Sequence, residues 1–202
     1  MIEIYLLRHG DTGMGQILVG ATDLPLAPRA SVELAGASRL LAAVHFDHIW
    51  RSPRLRCQET LATVLPQAEA EIVDDLREVN FGRWEMQSFS EINKEYPEDM
   101  ARLAAWDQDF AFPGGESIAS FLARAAAVRA RVAALAKASA KAGGGRKVLM
   151  VTHSGIIRQL ICGWLGIPSR QYLLFAIQFG KVVTLSIHKD GGVLTGFNLG
   201  EL

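Results

Sequence analysis

Two short tripeptides carry the residue types that chemistry on an anion needs. Arg8-His9-Gly10 follows the apolar run Ile2-Glu3-Ile4-Tyr5-Leu6-Leu7, and far downstream His153-Ser154-Gly155 follows Lys147-Val148-Leu149-Met150-Val151-Thr152. A short run rich in Ile, Leu and Val, cut off by polar residues and glycine, reads as a buried strand, so each histidine is delivered to a strand's carboxyl end. Open α/β sheets place their ligands there. Two imidazoles and a guanidinium converging on a cleft suit a dianion such as a phosphomonoester, with one imidazole free to attack and the other groups holding charge. A lone histidine after a strand is ordinarily a hydrogen-bonded core or loop residue. The paired, strand-terminal placement is what points to a site.

The intervening elements must bring these ends together. Residues 11–28 hold Gly13, Gly15, Gly20, Pro25 and Pro28 and read as a long loop, a length that in a compact domain usually carries function. Ala30 to Val44 shows a helical stripe, and His48-Ile49-Trp50 a short strand. Ser52-Pro53 reads as an N-cap followed by proline at the first helical position, starting a helix to about Leu65 with Arg54 and Arg56 in its first turn. Glu71-Ile72-Val73 is a further short strand. Ser88 with Glu91 predicts a capping box for a helix ending near Tyr96, and Pro97 opens the next, to about Trp106. An aromatic, turn-forming segment from Asp107 to Gly115 precedes a long Ala-rich helix from Ser117 to about Lys141, with Gly143-Gly144-Gly145 as its stop. After His153 comes a helix closed by Gly166 and Pro168, then Val182 to His188 turning at Asp190-Gly191-Gly192 into Val193 to Asn198. This order implies one three-layer α/β domain spanning residues 1–202. Its sheet is mostly parallel, with an antiparallel edge and helices on both faces.

Bulk composition narrows the function classes. The 202 residues are 50% hydrophobic, enough for one substantial core. Acidic and basic residues balance at 21 each, so no global field draws the chain to nucleic acid or an anionic membrane, and anion affinity must be local. No apolar run reaches the ~20 residues of a membrane span, and the first apolar stretch lacks a basic leader or cleavage site, so a soluble cytoplasmic protein is expected. Cys57 and Cys162 lack ligand or disulfide spacing and read as buried small hydrophobes. No cluster of Asp or His has metal-ligand spacing, and neither a metal nor a cofactor is expected.

With Arg8-His9-Gly10, Arg56 in Ser52-Pro53-Arg54-Leu55-Arg56, Glu78, and His153-Ser154-Gly155 located, the chain resembles the histidine phosphatase (phosphoglycerate mutase-like) superfamily over nearly its whole length, with the motifs in family order. The resemblance implies that His9 is the nucleophile that takes the phosphoryl group and that Glu78 is the proton donor. It makes Arg8, Arg56 and His153, with Ser154 beside them, the phosphate pocket. The physics agrees: Arg8 and Arg56 disfavour a proton on His9, and the same cations stabilise charge on the transferring oxygens. A glutamate shielded by Phe81 and Trp84 can hold the proton that an alkoxide leaving group needs. Three positions depart from the family pattern. Asp11 replaces a glutamate, Gly15 stands where an asparagine often helps hold phosphate, and Ala30 replaces a glycine. Gln16 or backbone amides of the glycine-rich loop are the candidates to stand in for that asparagine.

Within the family, Val79 and Phe81 occupy positions where the mutase branch reads a carboxylate with Arg and Tyr, which argues against a mutase. The stretches Phe81-Gly82-Arg83-Trp84-Glu85, Phe112-Pro113-Gly114-Gly115-Glu116-Ser117 and Gly20-Ala21-Thr22-Asp23-Leu24-Pro25-Leu26 look like those of the α-ribazole phosphatases of cobalamin synthesis. The expected partner is thus a small-molecule phosphomonoester, bulky and partly aromatic, against a rim of Phe81, Trp84, Met86, Phe89 and Phe112. A broad or sugar phosphatase, a mutase, and a non-enzymatic phosphoprotein-binding module are the alternatives, and homo-oligomerisation is left open.

Overall fold

Strand β1 (Ile2–Arg8) lies inside the sheet, paired in parallel with β4 (Arg146–Thr152) and antiparallel with β5 (Val182–His188). In the computed structural model, which describes residues 1–142 and 145–201, β2 (His48–Arg51) and β3 (Glu71–Ile72) extend the sheet in parallel. On the other side β6 (Gly191–Leu199) completes a hairpin with β5, giving the order β3-β2-β4-β1-β5-β6. This is the mostly parallel sheet with an antiparallel edge that the element order implies.

The central strands read as unbroken apolar runs because both their faces are covered. On one face, Leu34, Ala37 and Leu41 of α1 (Ala30–Ala42) and Cys57, Leu61 and Val64 of α2 (Leu55–Val64) pack on Leu7, Leu149 and Val151. On the other, Val128 and Val132 of α5 (Ile118–Ala142) and Ile157 and Leu160 of α6 (Ser154–Leu165) pack on Ile4, Leu6, Val148 and Met150. The expected stop at Gly143-Gly144-Gly145 falls on 143 and 144, outside the described residues.

Local signals set most boundaries. Ser88 and Glu91 form the reciprocal capping box of α3 (Phe89–Glu95), Pro97 opens α4 (Pro97–Ala104), and Gly166 closes α6 in a left-handed conformation at φ 69°. One start was misplaced. Helix α2 begins at Leu55, with no side-chain cap from its own N-cap residue, Arg54. Its Leu55 N–H is taken at 2.8 Å by Asp23 of the loop, while the Ser52 hydroxyl turns to His153. The tertiary partner at Leu55 takes the cap, and Ser52 keeps only a 3.4 Å bond from the Arg54 N–H toward the helix. Helix α4 also stops short of Trp106, which swings out at φ 56°. Among the described residues no helix is long and apolar enough to cross a membrane.

Candidate active site

Strand register assembles the site. Arg8 faces Thr152 and Arg51 faces Val151, so the next residues, His9, His153 and Ser52, sit at neighbouring strand ends. The His9 N–H continues the ladder to the Thr152 carbonyl at 3.0 Å, and the Ser52 N–H does so to Val151 at 2.9 Å. The two imidazoles meet edge to face, with centroids 5.1 Å apart.

The buried His9 has one nitrogen committed. Its Nδ1 lies 2.8 Å from the Gly10 carbonyl, which can only accept, so Nδ1 carries the proton and Nε2 keeps its lone pair. Burial, then Arg56 and Arg8, hold its pKa well below the ordinary value, against the opposing effect of the Gly10 bond. The ring is therefore neutral at neutral pH, with a lone pair free on Nε2. Arg8 donates to the Ile177 carbonyl at 2.6 Å and stacks over Phe179 at 3.5 Å. Burial lowers its pKa to about 10, opposed by Glu78, and it stays cationic.

Arg56 and His153 are wholly buried and joined to each other. The Arg56 Nε–H donates to His153 Nδ1 at 3.2 Å, which places the ring proton on Nε2, facing Ser52 Oγ at 2.8 Å. The Arg56 terminal nitrogens donate to the carbonyls of Thr22 at 3.0 Å and Gly20 at 2.9 Å. His153 is held neutral by burial and then by Arg56 and His9. Cys57 is buried as expected, yet it also touches His153 at 3.5 Å; burial pushes its thiol up to about 12, which removes it as a nucleophile.

Glu78 approaches from the opposite wall. Its Oε2 accepts the Gly155 N–H at 2.9 Å in the first turn of α6, and its Oε1 accepts the Val79 N–H at 3.1 Å. A Cβ at Gly155 would lie 2.3 Å from Oε1, so the glycine is required for this contact. Asp11, the shortened carboxylate, faces away to Arg29 and the Gly13 N–H and pins the start of the loop.

Arg8, His9, Glu78 and Ser154 line a cavity of about 470 Å³, whereas Arg56 and His153 are wholly buried and do not line it. Of the aromatics expected at the rim, Phe81, Phe89 and Phe112 line the cavity, but Trp84 and Met86 do not. Trp84 is fully buried against Phe110, Phe112 and Tyr96 because segment 107–115 folds over it. Gly15 and Gln16 both line the cavity; Gly15 has φ 60° with open space around its Cα, so backbone conformation is what calls for glycine there.

Other residues line the cavity without having been expected there, Trp106, Phe179 and Arg158 among them. Trp106 stacks against Tyr172 at 4.9 Å, Phe179 carries Arg8, and Arg158 projects from α6 with its Nε bonded to the Phe175 carbonyl at 2.7 Å. Arg158 had a signal: it is the one cation in the otherwise apolar helix Ser154–Leu165, four residues after Ser154. Trp106 and Phe179 had none, because each gains its place from a partner distant in sequence.

The model of the histidine phosphatase superfamily (branch 1) matches residues 4–200. The chain is 27% identical to the adenosylcobalamin/α-ribazole phosphatase of Escherichia coli K12, across 98% of this chain and 96% of that protein. It is 24% identical to phosphoserine phosphatase 1 of Hydrogenobacter thermophilus, across 98% and 93%. The crystal structure of the α-ribazole phosphatase from Shigella flexneri superposes with a TM-score of 0.84 at 26% identity, over 99% of this chain and 98% of that one. With a site built at the ends of β1, β2 and β4 and a family match over nearly every residue, the chain belongs to the histidine phosphatase superfamily, branch 1.

Proposed function

We propose that the protein is a phosphomonoesterase that works through a phosphohistidine at His9. The observation that carries this reading is the bond from His9 Nδ1 to the Gly10 carbonyl, which leaves Nε2 unprotonated in a cavity shared with Arg8 and Glu78. In the first step Nε2 bonds to phosphorus as the ester P–O bond breaks. Glu78 gives its proton to the leaving alkoxide, while Arg8 and the Arg56–His153 pair stabilise the transferring oxygens. In the second step the Glu78 carboxylate takes a proton from water, whose oxygen displaces His9 and releases phosphate. Each Glu78 oxygen accepts one backbone N–H and keeps a lone pair for that proton.

The leading substrate is α-ribazole 5′-phosphate. The aromatic wall of Phe81, Phe89, Phe112 and Trp106 supports a flat, bulky leaving group, as does the likeness to α-ribazole phosphatases. One observation favours a second reading. Arg158 lines the cavity with no carboxylate in ion-pair reach among the described residues, which suits a phosphomonoester bearing its own carboxylate, such as phosphoserine.

Chemistry by His9 needs no metal, and among the described residues no three His, Cys, Asp or Glu side chains are grouped to hold one. Rapid quenching with labelled substrate, with and without excess chelator, tests the mechanism. An acid-labile, base-stable phosphoprotein should form equally in both and vanish in His9→Ala. Labelling of His9→Ala, or labelling that needs added metal, would refute it.

A further inference from the structure

Two stretches that stand out in the sequence, Gly20-Ala21-Thr22 and Phe81-Gly82-Arg83-Trp84-Glu85, meet through one carboxylate. Glu85 follows the short 3-10 turn Gly82–Trp84. Its Oε2 accepts the Gly20 N–H at 3.1 Å, the Thr22 N–H at 3.1 Å and the Thr22 hydroxyl at 2.7 Å. Its Oε1 accepts the Ala21 N–H at 2.8 Å and the Phe81 N–H at 3.0 Å. Among the described residues no Lys or Arg pairs with it, so the anion is satisfied by four backbone N–H groups and one hydroxyl. The approach is tight: a Cβ on Gly20 would lie 1.9 Å from the Val79 carbonyl oxygen and 2.9 Å from Glu85 Oε1.

The carbonyls of the same segment point the other way, at Arg56. Four of the five guanidinium N–H groups are taken, by His153, Thr22, Gly20 and, at 3.5 Å, Val19. One N–H on Nη1 is left, and the carbonyls set its direction. The Val19–Gly20 and Gly20–Ala21 peptides thus each have the N–H on the Glu85 anion and the C=O on the Arg56 cation, an arrangement in which the bonds polarise one another.

We propose that Glu85 is the positioning residue of the phosphate pocket: it holds the segment Gly20 to Thr22 so that the Gly20 and Thr22 carbonyls aim Arg56, and through the Arg56 Nε–H it keeps His153 in the Nε2–H tautomer. This rests on the reading of Arg56 and His153 as part of that pocket. Glu85 touches no substrate.

Glu85→Gln in the full chain is the test, because it keeps the size but sets an NH₂ group against backbone N–H groups. The readouts are the inhibition constant of inorganic phosphate and the imidazole ¹⁵N spectrum. Phosphate binding should weaken by about tenfold, as loss of charge-assisted bonds implies, and the His153 signals should pass from the Nε2–H tautomer to a mixture. Thr22→Val, which removes only the hydroxyl bond, should shift both in the same direction by less, and it serves if Glu85→Gln does not fold. A folded Glu85→Gln with wild-type phosphate affinity and unaltered His153 signals would overturn the proposal, whatever its melting temperature. A wild-type protein that neither binds phosphate nor hydrolyses phosphomonoesters would instead overturn the functional reading. The His153 tautomer, compared in the two proteins without phosphate, then judges the Glu85 linkage by itself.

Discussion

At the scale of single residues, burial does most of the electrical tuning. His9 and His153 sit where a charged ring would lose its hydration beside two guanidinium groups, so both pKa values fall below the ordinary 6.5. The sign for stability follows. Above about pH 6.5 neither folded nor unfolded chain protonates these rings, and their contribution is complete. As pH falls below that value the unfolded chain binds protons first, and stability is lost progressively down to the folded-state pKa values. Imidazole ¹⁵N shifts should therefore report both rings neutral at pH 6. Protonation of either at or above its ordinary pKa would contradict the electrostatics. Glu78 carries the other residue-scale prediction. Glu78→Gln should slow hydrolysis of alkyl phosphates by ~10²–10⁴-fold, as loss of a general acid implies, and slow phosphoryl transfer from p-nitrophenyl phosphate far less. Equal losses on the two substrates in single-turnover assays would remove Glu78 from the acid role.

At the scale of elements, Arg124 of α5 fastens the Glu78 segment to the helix behind it. It donates to the carbonyls of Asp75 at 3.0 Å and Arg77 at 2.8 Å, and pairs with Glu116 at 2.7 Å, both side chains being about nine-tenths buried. Arg124→Met leaves the Glu116 carboxylate buried without its cation, at a cost of about 3–5 kcal/mol. For a chain of this size that is a melting temperature lower by roughly 10 °C. Thermal unfolding followed by circular dichroism measures it, and a drop of only a degree or two would mean that solvent screens the pair. Helix α6 also holds Glu78, which fits against it only because position 155 has no side chain.

At the scale of the whole molecule, the proposed chemistry assigns selectivity to the cavity walls, because its cations would meet every phosphomonoester alike. Rings from segments 81–89 and 106–112 line the cavity together with Tyr172 and Phe179, which follow α6. The ratio of kcat/KM for α-ribazole phosphate against phosphoserine and 3-phosphoglycerate should exceed about tenfold, since each aromatic contact is worth ~0.5–1.5 kcal/mol beyond the area it buries. A preference for phosphoserine that Arg158→Met abolishes would select the second reading of the site instead.

The chain's own order of residues determined the sheet, its helices and the residues at its strand ends, because those depend on short-range periodicity. Apolar runs stop at His9 and His153, Ser88 and Glu91 cap a helix, and Gly166 ends one, all within a few residues. It determined less about what those residues do next. Ser52 reads as a helix cap but bonds to His153 across 101 positions, and Asp23, 32 residues before Leu55, takes the cap's work. Trp84 reads as rim but is core, while Trp106 reads as a helix end but is wall. Only the tertiary structure decided these, because a hydroxyl or an indole goes to the partner or void that packing brings to it, and that choice is made between segments with no local pattern in common.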